Sequence, residues 1–150
     1  MLVTQAIAAE HVAILKMFDE VERVLPDFQS PAEVGRVARI LEGVLLTHAT
    51  LETNLAFVPL DHALQQQERL TVLYHDHEEV DAELRQVEQA TSCEEARRRL
   101  RAAIGAAREH FRREEEQLFP ILERTLPESA LAALGDAFER TATGRLQAGR

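Results

Sequence analysis

Six histidines accompany 26 acidic residues in this chain of 150, and four of them fall on stripes that a helix would turn inward. His11 sits between Ile7 and Ile14, His48 between Val44 and Leu55, His77 between Leu73 and Val80, and His110 between Ala107 and Leu118. An unpartnered imidazole on a core-facing stripe costs a few kcal/mol. One such histidine is most simply a hydrogen-bonded core residue. Four of them, one on each of four long helices, point instead to a shared ligand.

Two of the four carry a glutamate at i+4, in His48-Ala49-Thr50-Leu51-Glu52 and His110-Phe111-Arg112-Arg113-Glu114. On a helix this spacing is ~40° round and ~6 Å along, so ring and carboxylate reach one centre. Glu115, at i+5, is rotated ~140° and is the weaker candidate. At ~1.5 Å per residue, His11 and His48 lie within about one turn of each other from the connection near residues 26–30. His77 and His110 differ by little more from the connection near residues 90–92. Four imidazoles and two carboxylates, with no thiolate, can therefore meet at one level.

Six protein ligands exceed the three of a catalytic zinc, and imidazole argues against calcium or magnesium. Two transition-metal ions divide the set evenly, two imidazoles to each, with Glu52 and Glu114 bridging and a solvent-derived oxygen completing the pair. Four positive charges on two ferrous ions nearly cancel two carboxylates and a bridging hydroxide. Without metal, burial is expected to raise the glutamate pKa values and favour proton sharing with histidine. Mixed imidazole and carboxylate ligation with open positions suits iron, and the spacing is equally compatible with manganese and zinc.

The elements that must hold these residues read as all-α, because apolar residues recur at three- and four-residue steps and glycine and proline are few. A first helix is expected from about Thr4 to Leu25, with Ile7, Ile14, Phe18, Val21 and Leu25 inward, ended by Pro26. Ser30-Pro31-Ala32-Glu33 is a capping box opening a second helix, whose stripe runs through Val34, Val37, Leu41, Val44 and Leu55 until Pro59 and Asp61 interrupt it. A third spans about His62 to Ala90, with Leu70, Leu73, Val80, Leu84 and Val87 inward. Ser92-Cys93-Glu94-Glu95 repeats the capping pattern and opens a fourth, with Leu100, Ile104, Leu118 and Ile121 inward and Pro120 expected to kink or end it. A shorter amphipathic segment follows from about Glu128 to Arg140. The expected architecture is an up-down-up-down four-helix bundle over residues 1–143 with a short additional C-terminal helix, and a flexible tail over residues 144–150.

Composition narrows the partners. A net charge of -9 opposes binding to nucleic acid or anionic membrane. The opening MLVTQAIAAEHVAILKMF has no basic start and is broken by Glu10 and His11, so neither a signal peptide nor a membrane span is expected. The single Cys93 excludes an intrachain disulfide or a cysteine-rich zinc site and fits a reducing compartment, the cytoplasm.

The pieces AEHVAIL, HATLE, HDHEEV and HFRREEEQLFP, over about residues 4–125, resemble the hemerythrin-like (HHE cation-binding) domain family. Its pattern is an isolated His, HxxxE, a second isolated His, then HxxxEE followed by LFP. Leu118-Phe119-Pro120 is the most specific match, while Thr53 stands where a second acidic residue is common. The resemblance implies a non-haem di-iron centre with an oxo or hydroxo bridge, held by His11, His48, Glu52, His77, His110 and Glu114. It implies binding of dioxygen or nitric oxide as a carrier, store or sensor. The alternative is an enzyme handling nitric oxide or peroxide, or an iron donor for iron–sulfur repair. Oxygen-carrier hemerythrins have two histidines four apart on the third helix, but here position 73 is Leu73, which argues against reversible carriage and for a more open cluster.

Other polar residues read more plainly. His75, ~200° from His77, and His62 are expected at the surface. The Tyr74 hydroxyl can face a bridging ligand or pack without one, and packing is the simpler expectation. Cys93 is expected to be a partly exposed thiol without a role, and Arg97–Arg99 with Arg101 a solvated face. No ExxH occurs, which argues against the ferritin-like type of di-iron bundle.

Overall fold

The computed structural model describes residues 1–64 and 70–148. Among these residues every regular element is helical: α1 (Val3–Val24), α2 (Pro31–Glu52), α3 (Val58–Leu64), α4 (Thr71–Val87), α5 (Cys93–Arg113), α6 (Phe119–Thr125) and α7 (Glu128–Ala148). A short 3-10 turn, Leu25–Asp27, closes α1 at Pro26. The four histidines ride on α1, α2, α4 and α5. α2 packs on α4 and α5, α4 on α5, and α1 on α5 and α7.

Both expected caps form, with one change of partner. The Ser30 side chain accepts from the Glu33 amide at 3.3 Å, and Ser92 accepts from Glu95 at 3.1 Å. Each glutamate, however, reaches one residue further back than the standard box, to the amide of Gln29 at 2.8 Å and of Thr91 at 3.1 Å. An orphan donor is satisfied either way.

Pro59 and Pro120, unlike Pro26, do not end their helices. Before each lies a five-residue π-helical segment, Thr53–Phe57 ahead of Pro59 and Glu114–Leu118 ahead of Pro120. A proline inside an α-helix removes one hydrogen bond and crowds the carbonyl four residues earlier. Widening to i→i+5 bonding, as in Val58 to Thr53 and Phe119 to Glu114, lets the chain pass the ring while remaining helical. The wider turn also delays the inward stripe. Ala56 and Phe57 are fully buried while Leu55 is partly so, and Leu122 is fully buried while Ile121 is partly so. The stripes expected through Leu55 and Ile121 are thus displaced by one residue.

The expected third helix is divided. His62 lies in α3, Leu70 is a turn residue, α4 begins at Thr71, and the expected helix between them crosses residues 65–69, outside the described residues. Its inward residues are as expected, Leu70, Leu73, Val80, Leu84 and Val87 all being buried. The last helix is longer than its amphipathic pattern, continuing past Arg140 to Ala148. The arginine run is more than a solvated face: Arg97 donates to the Phe28 carbonyl at 2.9 Å and Arg99 to that of Gln86 at 3.2 Å.

The apolar residues form two clusters rather than one. The first gathers Phe18, Leu41, Leu84, Leu100 and Ile104. The second gathers Ile7, Phe57, Leu73, Leu118 and Leu131 from both π segments, α1, α4 and α7. Along α1 the first cluster resumes at Ile14 and the second ends at Ile7, with His11 between them.

Helix α7 meets the start of α1 through Gly135. A Cβ there would overlap the Met1 carbonyl oxygen and lie 2.9 Å from the Leu2 carbonyl carbon, both backbone atoms that cannot rotate away. Gly135→Ala is expected to cost about 1–3 kcal/mol by overpacking. The exposed Gly105, where a Cβ meets nothing within 4 Å, is expected to gain up to about 1 kcal/mol as Gly105→Ala. Denaturant melts of both variants check the pair, and equal effects would refute the clamp.

Candidate metal centre

All six sequence-derived residues meet in the layer between the two clusters. His11, His48, Glu52 and Glu114 form one group of potential metal donors and Glu52, His77, His110 and Glu114 a second, each with donor atoms within 4.8 Å of one another. Both glutamates belong to both groups. Glu52 and Glu114 are 0% exposed, as is His11, and among the six only His77 has appreciable access, its side chain being 16% exposed.

The contacts suit donors around a centre better than a closed hydrogen-bond network. Glu52 Oε2, His77 Nε2, His110 Nε2 and both Glu114 oxygens are buried without a hydrogen-bond partner. Yet His77 Nε2 lies 3.3 Å from Glu52 and 3.4 Å from Glu114, and His110 Nε2 lies 2.8 Å from Glu114. His11 Nε2 and His48 Nε2 face each other at 3.1 Å, a separation that needs a proton or a cation between their lone pairs. Buried orphaned atoms of this kind are rare without a ligand. The residues fit a metal pair.

The outer ring nitrogens are held by carboxylates that the sequence reading did not assign. Glu115 lies 2.8 Å from His11 Nδ1, Glu10 lies 3.0 Å from His48 Nδ1, and Asp76 lies 3.3 Å from His110 Nδ1. Asp76 is itself paired with Arg113 at 3.0 Å. A carboxylate at Nδ1 fixes the proton there and leaves Nε2 free to bind a metal. The second glutamate of HxxxEE is thus divided from the first: Glu114 enters the centre and Glu115 supports His11 from outside. Helical periodicity was the available signal, since Glu115 is ~140° from His110 and Glu10 adjoins His11. Asp76 carried none.

Aromatic rings wall the layer. Phe111 stacks on His11 at 4.1 Å between centroids and Phe57 on His77 at 5.6 Å. A cavity of about 120 Å3, with walls including Leu45, Val80 and Phe111, reaches His48, His77 and His110. Tyr74 takes no part in the centre: its hydroxyl donates to Asp61 at 3.3 Å and its ring meets Phe57 edge-on. His75 is on the surface as expected, 63% exposed beside Glu79, and His62 is exposed too. Cys93 is half-buried and donates to the Phe28 carbonyl at 3.3 Å.

Without metal, burial opposes charge on the histidines, but the adjoining carboxylates outweigh it. The pKa of His11 rises to about 9 beside Glu114 and Glu52, that of His48 to about 10 beside Glu52 and Glu10, and that of His77 to about 9 beside Glu114 and Glu52. The glutamates move opposite to the sequence expectation. Burial does push them up, but His48, His11 and His77 hold Glu52 well below the usual range, and His11, His110 and His77 lower Glu114. Desolvation loses because each carboxylate faces several imidazolium rings at once.

A family model, the hemerythrin HHE cation-binding domain, matches residues 2–122. The chain belongs to this family. No curated protein and no solved structure matches it. The HHE match spans all six clustered residues and ends at Leu122 in α6, so α7 lies beyond the matched segment. Among the described residues no helix of this HHE domain is long and apolar enough to cross a membrane.

The shifts give the metal-free HHE domain a definite pH dependence. The histidine contribution is fully present below their ordinary 6.5 and is lost as pH rises through about 9 to 10. The glutamate contribution is present above their ordinary 4.5 and is lost on acidification. Thermal melts of chelator-treated protein should therefore show Tm falling from pH 6.5 towards pH 10. A Tm flat or rising over that range would contradict the charge assignment.

Proposed function

We propose that this HHE domain is a non-haem di-iron protein that binds dioxygen or another small diatomic ligand such as nitric oxide. The observation that carries this reading is the sharing of Glu52 and Glu114 between two four-residue donor groups. One ion would be held by His11 and His48, the other by His77 and His110, with the two carboxylates common to both. Four helix-borne imidazoles with carboxylates and positions left for a ligand suit iron among the first-row metals.

The size of the adjoining space supports a small ligand. The cavity of about 120 Å3 is well below the ~300–1,000 Å3 of sites that take metabolite-sized molecules. Its apolar walls favour a neutral guest over a hydrated ion. When bound, the reduced iron pair supplies the open coordination and the electrons. The chain's part is to fix the imidazoles through Glu10, Glu115 and Asp76, to exclude bulk water with Phe57 and Phe111, and to balance charge. The long helices α1, α2, α4 and α5 are assigned as the up-down-up-down bundle, with α7 appended and the cytoplasm as the compartment.

Turnover of nitric oxide or peroxide, or release of iron to damaged iron–sulfur centres, is the second reading. It is favoured by the partial exposure of His77, which leaves the centre less sealed than a protected carrier needs.

Anaerobic loading with ferrous iron followed by oxygen tests these readings. An iron pair per chain with a charge-transfer spectrum that reverses on removing oxygen is expected for binding. Permanent oxidation with turnover of added nitric oxide or peroxide would favour the enzyme. Glu114→Ala is expected to lose the pair, whereas Glu115→Ala keeps it with affinity reduced about 10- to 100-fold, the usual effect of removing an outer hydrogen bond. A chain that loads no iron pair, or a Glu115→Ala variant as defective as Glu114→Ala, would overturn the assignment.

A further inference from the structure

We infer that Tyr74 is a redox relay for the metal pair, its phenol giving up one electron by way of Phe57 and His77 while Asp61 takes the phenolic proton. This rests on the di-iron reading and adds to it a route for single electrons between the centre and the surface.

The chain has one tyrosine, one cysteine, two methionines and no tryptophan, so few side chains can supply an electron to an oxidised centre. Met1 and Met17 are exposed. Cys93 opens α5 whereas His110 stands near its end, ~25 Å along the helix at ~1.5 Å per residue. Of these four residues Tyr74 is the one that adjoins the rings walling the layer. It meets Phe57 edge-on at 4.9 Å between centroids, and Phe57 in turn stacks on His77 at 5.6 Å. Tyr74 also precedes His77 by about one turn of α4, so a short covalent path runs beside the ring contacts.

The surroundings of the hydroxyl suit the loss of its proton. A phenol gives up an electron far more easily when the proton leaves with it. Tyr74 donates to Asp61 Oδ2 at 3.3 Å, and Asp61 Oδ1 is buried without a hydrogen-bond partner among the described residues. An orphaned oxygen of this kind calls for a ligand or a redox role. Taking up the phenolic proton would make Asp61 a neutral acid and relieve its unmatched charge. Burial and Asp61 push the Tyr74 pKa up to about 12, so at neutral pH the phenol still holds the proton that the relay moves. The residue is partly exposed, within reach of an outside electron donor.

Peroxide is the oxidant. Its O–O bond takes two electrons and two solvent protons to give two water molecules. A half-reduced iron pair supplies one electron and Tyr74 the other, as the phenolic O–H bond breaks and the proton bonds to Asp61. A neutral phenoxyl radical remains. A one-electron donor of the ascorbate class restores the phenol, and Asp61 returns the proton.

The test mixes the iron-loaded full chain, its pair half reduced, with hydrogen peroxide and follows paramagnetic resonance on rapidly frozen samples. A phenoxyl signal should appear, narrow when the protein is grown on ring-deuterated tyrosine, and vanish with ascorbate. Tyr74→Phe keeps the ring against Phe57 and should hold the wild-type iron content while losing the signal. Asp61→Asn should lower the yield of radical, and in its metal-free form the phenol should titrate below about 12, because the carboxylate that helps retain the proton is gone. A loaded pair that leaves no phenoxyl signal, a signal that persists in Tyr74→Phe, or a phenol unmoved by Asp61→Asn would overturn the relay and leave the di-iron reading intact. A wild-type chain that takes up no iron pair would instead bring down the di-iron reading, and the relay with it.

Discussion

Two carboxylates and four imidazoles buried in one layer set the terms for the rest of this molecule. Taking such groups out of water is expensive unless their charges and lone pairs are met. Glu52 and Glu114 are 0% exposed and still have oxygens without hydrogen-bond partners, so what stabilises the layer must sit between them. In the metal-free chain, protons on the histidines serve that purpose. A pair of cations would serve it better, since each could satisfy both glutamates at once. The two apolar clusters on either side and the aromatic rings against His11 and His77 keep water from competing.

The same layer accounts for the irregular stretches of helix. Each HxxxE segment runs directly into a π turn and then a proline. A regular α-helix continuing from Glu52 or Glu114 would turn Leu55 and Ile121 inward, whereas Ala56, Phe57 and Leu122 are the buried residues. The extra residue in the wide turn brings Phe57 and Leu122 inward and lets Pro59 and Pro120 pass without a break. The change of helix type is local, and beyond it lies the second cluster, closed by α7 where Gly135 meets the backbone of Met1 and Leu2.

Outer carboxylates hold the rings of the centre in place. Glu10 and Glu115 lie next to His11 and Glu114 in sequence, yet each acts on a ring of another helix, His48 and His11 respectively. Asp76 precedes His77 but supports His110. Such cross-helix partners set which nitrogen carries the proton, and they depend on how the helices are rotated against one another.

The sequence by itself determined the all-helical class, both serine caps, most of the inward stripe and the membership of the six-residue set, because periodicity and i+4 spacing are local properties of one helix. It did not determine the phase of the stripe past Pro59 and Pro120, which depends on a change of helix type that the hydrophobic pattern does not record. Nor does spacing alone select a site: His75 and Glu79 are also four apart and lie 3.4 Å from each other, yet they are 63% and 60% exposed and stand on the surface beside Glu78. What separates them from His48 and Glu52 is the face of the helix and what packs against it. Tertiary structure also decided the sign of the glutamate shifts. Burial alone would raise them, and only the convergence of imidazoles from several helices on each carboxylate reverses that effect.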